Sequence, residues 1–228
     1  MSAVSDAKTL AILGGTGDQG LGLALRFASA GARVAIGSRK LERAVEAAEN
    51  VRSQVATANV EGLGNSDAAA GAEIVILSVP FEHTASTLKG IREVLTPGQI
   101  VVSMGVPLAT SIGDAASRMI GVWQGSCAEL VASLLPEGVH PVSAFQNVSA
   151  HRLQTLSEPV ECDVVVSGAK APRERVMELC EWVPGLRAVD GGPLANARIV
   201  ESMTALLIGL NIRYKVSGGV GIRFTGLP

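Results

Sequence analysis

Two kinds of segment alternate along this chain. Short apolar runs at residues 10–13, 33–37, 73–79 and 100–104 read as strands covered on both faces, because only such a strand can do without a polar side. Between them, at 21–30, 41–49 and 82–95, apolar positions recur every three to four residues, as on one face of a helix. Gly31 stands where the first helix should stop, Pro80 ends the run 73–79, and Pro97-Gly98 turns the chain into the next strand. Residues 56–65 are looser and hold a short strand, and Ser66-Asp67 is expected to cap a small helix ending at Gly71. Residues 113–135 are less regular, apart from a helix-like stretch at 127–135, and a strand at 140–145 follows. Beyond it the pattern predicts a strand at 163–167, a helix at 172–182, a strand at 186–190 and a longer helix at 194–211. Strand–helix alternation of this kind predicts an α/β fold, a doubly wound parallel sheet with a small C-terminal α/β domain.

The first strand runs into Gly14-Gly15-Thr16-Gly17-Asp18-Gln19-Gly20. Gly15, Gly17 and Gly20 fit G-x-G-x-x-G, in which the first glycine permits a tight turn, the second lets backbone approach a pyrophosphate and the third lets helix and strand pack closely. The N–H groups opening the following helix would face the phosphates, where the helix dipole also favours negative charge. The second strand ends in Ser38-Arg39-Lys40 and carries no acid of the kind that would bond a ribose 2′-hydroxyl. Ser38 can donate a hydroxyl, Arg39 can fork two N–H groups onto phosphate oxygens, and Arg43 lies one helical turn on. The pattern favours NADP over NAD, and residues 1–145 read as a Rossmann-type NADP-binding domain. In such a sheet, ligands sit beyond the C-terminal strand ends, so residues 14–20, 38–39, 79–83 and 146–150 should converge.

Bulk properties narrow the classes. With 228 residues, 47% of them hydrophobic, the chain can bury a substantial core. A net charge of −2 with scattered Lys and Arg gives no basic stripe for nucleic acid or anionic lipid, and 3% aromatics leaves few stacking platforms. No apolar run reaches the roughly 18 residues needed to span a bilayer, and residues 1–8 lack the layout of a signal peptide. A cytoplasmic protein is expected. Cys127, Cys162 and Cys180 are widely separated and read as small buried residues, and His83, His140 and His151 show no ligand spacing, so no metal site is expected.

A bound NADP carries a hydride, and the protein must place its nicotinamide against an acceptor. The Tyr-x-x-x-Lys pair of short-chain alcohol dehydrogenases is absent, since the single tyrosine, Tyr214, is followed directly by Lys215. Lys170 is comparable to the lysine of hydroxyacid dehydrogenases, but the long all-helical domain that supports that chemistry is missing. Hydride transfer needing little protein acid or base survives best. A reductase of a small carbonyl or imine, and a non-catalytic NADP-binding module, remain as alternatives.

Several blocks are more specific than the glycine loop: Gly37-Ser38-Arg39, Val79-Pro80-Phe81-Glu82-His83, residues 142–150 (VSAFQNVSA), Gly192-Pro193-Leu194, Val200-Glu201-Ser202 and Gly221-Ile222-Arg223-Phe224-Thr225-Gly226. With Gly14-Gly15-Thr16-Gly17 they resemble, in order and from about Thr9 to Leu227, the NADPH-dependent reductases of the 8-hydroxy-5-deazaflavin coenzyme F420. The resemblance implies reversible hydride transfer between C4 of the nicotinamide and C5 of the deazaflavin, with no catalytic side chain beyond those that position the rings. It implies that Gly15, Thr16, Gly17, Asp18 and Gln19 hold the pyrophosphate, Ser38, Arg39 and Arg43 the 2′-phosphate, and Phe81, Ala85 and Ala150 the nicotinamide side. Gln146, Asn147, Val148 and Val220 would contact the deazaflavin, with residues 146–228 completing its pocket. Two residues depart from the family pattern: Asp18, where asparagine is frequent, and Gln146, where histidine can occur. The helical spacing of Ile199, Val200, Met203, Leu206, Leu207 and Leu210 suits either core or the interface of a homodimer.

Overall fold

The computed structural model describes residues 9–227; the polar segment at 1–8 lies outside them. The first half runs β1 (Thr9–Leu13), α1 (Asp18–Ser29), β2 (Arg33–Ser38), α2 (Leu41–Gln54), β3 (Asn59–Gly64), α3 (Asn65–Ala70), β4 (Ile74–Leu77) and α4 (Phe81–Ile91). After β5 (Ile100–Ser103) come α5 (Cys127–Leu134), β6 (His140–Ser143), α6 (Ala150–Gln154), β7 (Cys162–Gly168), α7 (Lys170–Cys180), β8 (Leu186–Asp190) and α8 (Ala197–Tyr214). The strands lie in the order β3-β2-β1-β4-β5-β6-β7-β8. Neighbours are parallel except β6 and β7, which pair antiparallel through Val142 with Gly168 and Ser143 with Ser167.

The period of two along each strand divides the core. Leu10, Ile12, Ile74, Ile76, Ile100, Val102 and Val142 face one layer with α1, α2 and α7, whereas Ala11, Leu13, Val75, Leu77 and Val101 face α3, α4 and α5. Each side chain of that size taken fully out of water contributes about 1.5–3 kcal/mol, which is why these strands have no polar side. The expected C-terminal α/β unit is β7-α7-β8. It joins the edge of the same sheet at β6, and Val164, Val166, Val176 and Leu179 belong to the same core as Leu10 and Ile12.

Local details differ from the sequence expectation. Helix α3 begins at Asn65, with Gly64 before it and no side-chain cap, so Ser66 and Asp67 lie inside its first turn. Helix α6 is short and was not legible from periodicity. It is held by a buried cation: Arg26 of α1 donates to the carbonyls of Leu153 (2.8 Å), Arg152 (2.7 Å), Thr155 (2.6 Å) and Glu158 (2.8 Å). Those oxygens end α6 and the turn after it, where they lack helical partners. A second buried charge, Asp163 of β7, accepts from Arg187 (2.6 Å), Arg223 (2.8 Å) and the N–H of Phe224 (2.6 Å), fastening the C-terminal strap to the sheet. These guanidiniums hold its carboxyl well below the usual carboxylate range.

Candidate functional site

Strand β1 sits between β2 and β4, so the chain leaves it in opposite directions on its two sides and opens a crevice beyond its C-terminal end. The loop that enters this crevice turns at Gly14, whose φ of 80° is left-handed and whose N–H donates to the carbonyl of Gly37 at 3.0 Å. The tight turn therefore belongs to Gly14, one residue before the first glycine of the motif. A Cβ there would stand 2.3 Å from the carbonyl oxygen of Ser78. At Gly20 a Cβ would come within 2.7 Å of the Cα of Gly15, the close helix–loop packing that the third glycine is for. Gly17 is different. A Cβ on it would meet nothing nearer than the Gly14 carbonyl oxygen at 3.5 Å, so the protein's own packing does not require a glycine there and the open space belongs to whatever binds.

Three cavities follow one another along the crevice. The first, about 540 Å³, is bordered by Gly14, Thr16, Gly17, Ser38, Arg39, Lys40, Arg43 and Asn65, with Ser78, Val79, Pro80, His83 and Thr87 opposite. Among the described residues it holds three cationic side chains, Arg39, Lys40 and Arg43, which have no ion-pair partner, and no carboxylate. The second, about 360 Å³, shares Gly17, Ser78, Val79 and Pro80 with the first and is walled by Phe81, Met104, Val106, Leu108 and Ile208. The third, about 440 Å³, shares Asp18, Gln19, Gln146, Thr204 and Ile208 with the second and continues along residues 146–151, Asn211 and Val220. The four converging segments expected from strand order thus border one continuous crevice.

Strain and hydrogen bonds shape its far end. Phe145, fully buried, has a φ of 67°, a left-handed conformation costly for a bulky residue. Its ring packs edge-on against Phe27 at 6.2 Å, and its carbonyl accepts from Gln19 Nε2 at 3.0 Å, which also donates to the carbonyl of Val148 at 3.1 Å. The bend throws Gln146 into the crevice. One end of its buried amide donates to Ser143 Oγ at 2.9 Å, and its Oε1 has no partner among the described residues. A buried acceptor left unbonded costs about 1–3 kcal/mol, so Gln146 suits a ligand carrying an N–H or O–H.

A family model described as "NADP oxidoreductase coenzyme F420-dependent" matches residues 9–107. An F420-dependent NADP reductase of Methanocaldococcus jannaschii is 49% identical over 223 residues, covering 96% of this chain and 98% of that protein. The chain belongs to the F420-dependent NADP reductase family. A second relative of that name, from Methanothermobacter thermautotrophicus, is 47% identical over 226 residues, covering 96% of this chain and 95% of its own length. The fold is shared with a solved structure from Arthrobacter sp. FB24, described as a candidate F420-dependent NADP reductase, with a TM-score of 0.78 at 23% identity over 95% of this chain and all of that one.

In this member of the family the residues present fit a phosphorylated dinucleotide: the unfilled space at Gly17 lies at the head of α1, and the partnerless cations lie at the end of β2. Thr16, Gly17, Ser38, Arg39 and Arg43 border the first cavity, Phe81 the second, and Val148, Ala150 and Val220 the third. Gly15 is buried beneath the loop, and Ala85 is exposed on α4; neither borders any of the three. Asp18 opens α1 without capping it and faces the second and third cavities, away from the cationic one. Its negative charge lies at the favourable end of the α1 dipole. Asn147 borders the third cavity; its Nδ2 donates inward to the carbonyl of Asp163 at 2.8 Å, and its buried Oδ1, like the Oε1 of Gln146, has no partner among the described residues. Sequence reasoning missed Lys40, which adjoins Ser38-Arg39 and was findable, and Asn65, Thr204 and Ile208, which only the packing of α3 and α8 brings to the crevice.

Proposed function

We propose that this chain catalyses reversible hydride transfer between NADPH and oxidised coenzyme F420, giving NADP+ and the reduced deazaflavin. The observation that carries the reading is the continuity of the crevice: a cationic cavity opens into an apolar one, which opens into a cavity bordered by the buried amide of Gln146. Family membership supports the same assignment. When bound, the reduced nicotinamide supplies two electrons and a proton nucleus as hydride to C5 of the deazaflavin, and solvent supplies the further proton that its ring takes up.

The protein's own residues bind and orient. Thr16, Gly17 and the opening N–H groups of α1 take the pyrophosphate, and Ser38, Arg39 and Arg43, joined by Lys40, take the 2′-phosphate. Phe81, Met104 and Ile208 keep water from the second cavity, where Asp18 is the only titratable side chain among the described residues. Among the described residues no lysine, histidine or tyrosine borders that cavity; rate enhancement then comes from holding two flat rings together in a dry site. Gln146 bonds the deazaflavin edge, and Val148 and Val220 wall its seat; Ala150, expected on the nicotinamide side, borders this same third cavity. In this reading residues 1–145 hold the nucleotide and residues 146–228 complete the deazaflavin pocket.

We place the protein in the cytoplasm, as a homodimer. Among the described residues no helix is long and apolar enough to cross a membrane, and Ile199 and Leu206 leave an exposed apolar face on α8. Light scattering at the monomer mass would reject the dimer, and recovery with the membrane fraction would reject the placement. The enzymatic reading is tested by mixing purified protein, NADPH and oxidised deazaflavin. Loss of the deazaflavin's visible absorbance supports it, and tight NADPH binding without transfer refutes it.

A further inference from the structure

Helix α8 supplies Thr204, Leu207, Ile208 and Asn211 to the crevice, yet of its residues only Ala197, Val200, Glu201, Ala205 and Leu207 are buried. Apolar packing alone therefore holds this wall thinly, and a charge stands in the gap. Glu201, one helical turn before Thr204, is 1% exposed and turned away from the cavities. Its carboxylate accepts from the N–H of Cys127 at 2.8 Å and of Ala128 at 3.0 Å, the first two residues of α5. Helix α5 closes the loop that begins with Met104, Gly105 and Val106, the opposite wall of the second cavity. The Cys127 thiol lies directly beneath that wall, for a Cβ on Gly105 would be 2.5 Å from its sulfur. At the other end of the same turn of α8, Thr204 Oγ1 donates to the carbonyl of Gln146 at 3.0 Å.

We propose that Glu201 is a positioning residue for the second ring: its paired hydrogen bonds to the start of α5 seat α8 so that Thr204 and Ile208 face the Met104–Val106 wall at the spacing the deazaflavin needs. The inference rests on the proposed assignment of the third cavity to the deazaflavin and of the second to the place where its ring meets the nicotinamide. Helix α8 contributes nothing to the border of the cationic cavity, where the phosphates are assigned, so the clamp acts chiefly on the deazaflavin and leaves most of the NADPH contacts untouched.

The clamp also has a proton dependence. Burial pushes the Glu201 carboxyl up to about 7, opposed by the two N–H groups that favour its anion and reinforced by Glu129. Glu129 on α5 is itself paired with Arg198 of α8 at 2.7 Å. The Cys127 thiol, raised to about 11 by burial, stays neutral throughout and meets only the hydroxyls of Ser103 and Thr84. Because the folded value lies above the ordinary 4.5, the carboxyl's contribution to folding stability is full below that value and lost as pH rises through about 7. The clamp runs the other way. Both bonds are complete only for the anion, since the acid presents an O–H to one of the N–H groups.

The test compares wild type with E201Q and E201D. Glutamine keeps the length of the side chain but sets an NH2 against an N–H, and aspartate keeps the charge but is one methylene short. At about pH 8, above the carboxyl's value of about 7, E201Q should raise KM for oxidised F420 roughly tenfold, the worth of one charge-assisted bond. Its NADPH dissociation constant, measured without deazaflavin, should stay within about twofold of wild type, and amide exchange at Cys127 and Ala128 should quicken. Wild-type KM for F420 should rise as pH falls through about 7, E201Q should be flat there, and E201D should keep the dependence with a smaller loss. E201D carries the same test should E201Q fail to fold. Faster exchange with an unchanged KM for F420 overturns the proposal, as does a parallel rise of both substrates' constants, which marks general loosening. If wild type transfers no hydride to F420 the functional reading falls and this inference with it, whereas normal transfer with indifferent variants sinks the inference alone.

Discussion

Replacing Gly17 by alanine separates what the fold needs from what the ligand needs. The added methyl group meets nothing closer than 3.5 Å, an ordinary van der Waals contact. The residue's φ of −89° and ψ of 161° are open to any side chain. Loss of glycine as the α1 N-cap is then the only structural cost, at most about 1 kcal/mol. The methyl group nevertheless fills the space over the N–H groups that open α1. Displacing a phosphate oxygen from one of them forfeits a charge-assisted bond of about 1.5–3 kcal/mol, which is roughly a 10- to 150-fold weaker NADPH complex. Gly14→Ala supplies the contrast. Its left-handed backbone costs an alanine about 1–2 kcal/mol, and the 2.3 Å approach to the Ser78 carbonyl oxygen adds an overpacking cost of about 1–3 kcal/mol. Urea unfolding and calorimetric NADPH titration on both variants decide the matter. G17A should be nearly as stable as wild type and a poor binder, and G14A should lose about 2–5 kcal/mol of stability. A G17A protein that binds NADPH as tightly as wild type would refute the assignment of that space to the pyrophosphate.

Three further outcomes are expected. Arg39→Asp replaces a partnerless cation of the first cavity by an anion and should raise KM for NADPH at least tenfold, a loss of about 1.5–3 kcal/mol; steady-state kinetics with NADPH and NADH check it, and an unchanged preference contradicts the 2′-phosphate site. Arg26→Ala removes the guanidinium from four carbonyls around the end of α6, of which Thr155 keeps the N–H of Glu158, and should cost about 3 kcal/mol or more by urea unfolding, with proteolytic nicking near residue 155 as the local sign. Because Asp163 is held below its ordinary value of 3.8, its stabilisation is complete above that pH and is lost as pH falls further, through the depressed value. Asp163→Asn should cost about 3 kcal/mol at neutral pH and flatten the acid limb of a stability-versus-pH curve, and an unaltered acid limb would argue that the strap is held by something else.

Much of the site was legible because its requirements are local. The glycine loop, the Ser38-Arg39 corner and the tip of each buried strand are written within a few residues of one another, and parallel topology sends strand ends to one side. Where the structure adds to or departs from that reading, the cause is distance or direction. Asn147 reads as a binding amide because it follows a buried strand; its Nδ2 is taken by the carbonyl of Asp163, on the antiparallel neighbour that no periodicity announces, and only its Oδ1 is left without a partner among the described residues. Gly15 reads as the turn residue from the motif, whereas the bond from Gly14 to Gly37 on the adjacent strand moves the left-handed position back by one. Ala85 falls on the exposed side of α4, a matter of how that helix rotates on the sheet.

Sequence by itself determined the alternation of strands and helices, the α/β class, the glycine loop between β1 and α1 and the cationic end of β2. These follow from side-chain period and backbone freedom, which act over neighbouring residues. Tertiary structure alone decided that β7 runs antiparallel, that Arg26 holds α6, and that Glu201 joins α8 to α5. Each of those buried polar groups must find a partner or forfeit its hydration, and partners such as Arg26 and Leu153, separated by 127 residues, are chosen only when the packed chain brings them within reach.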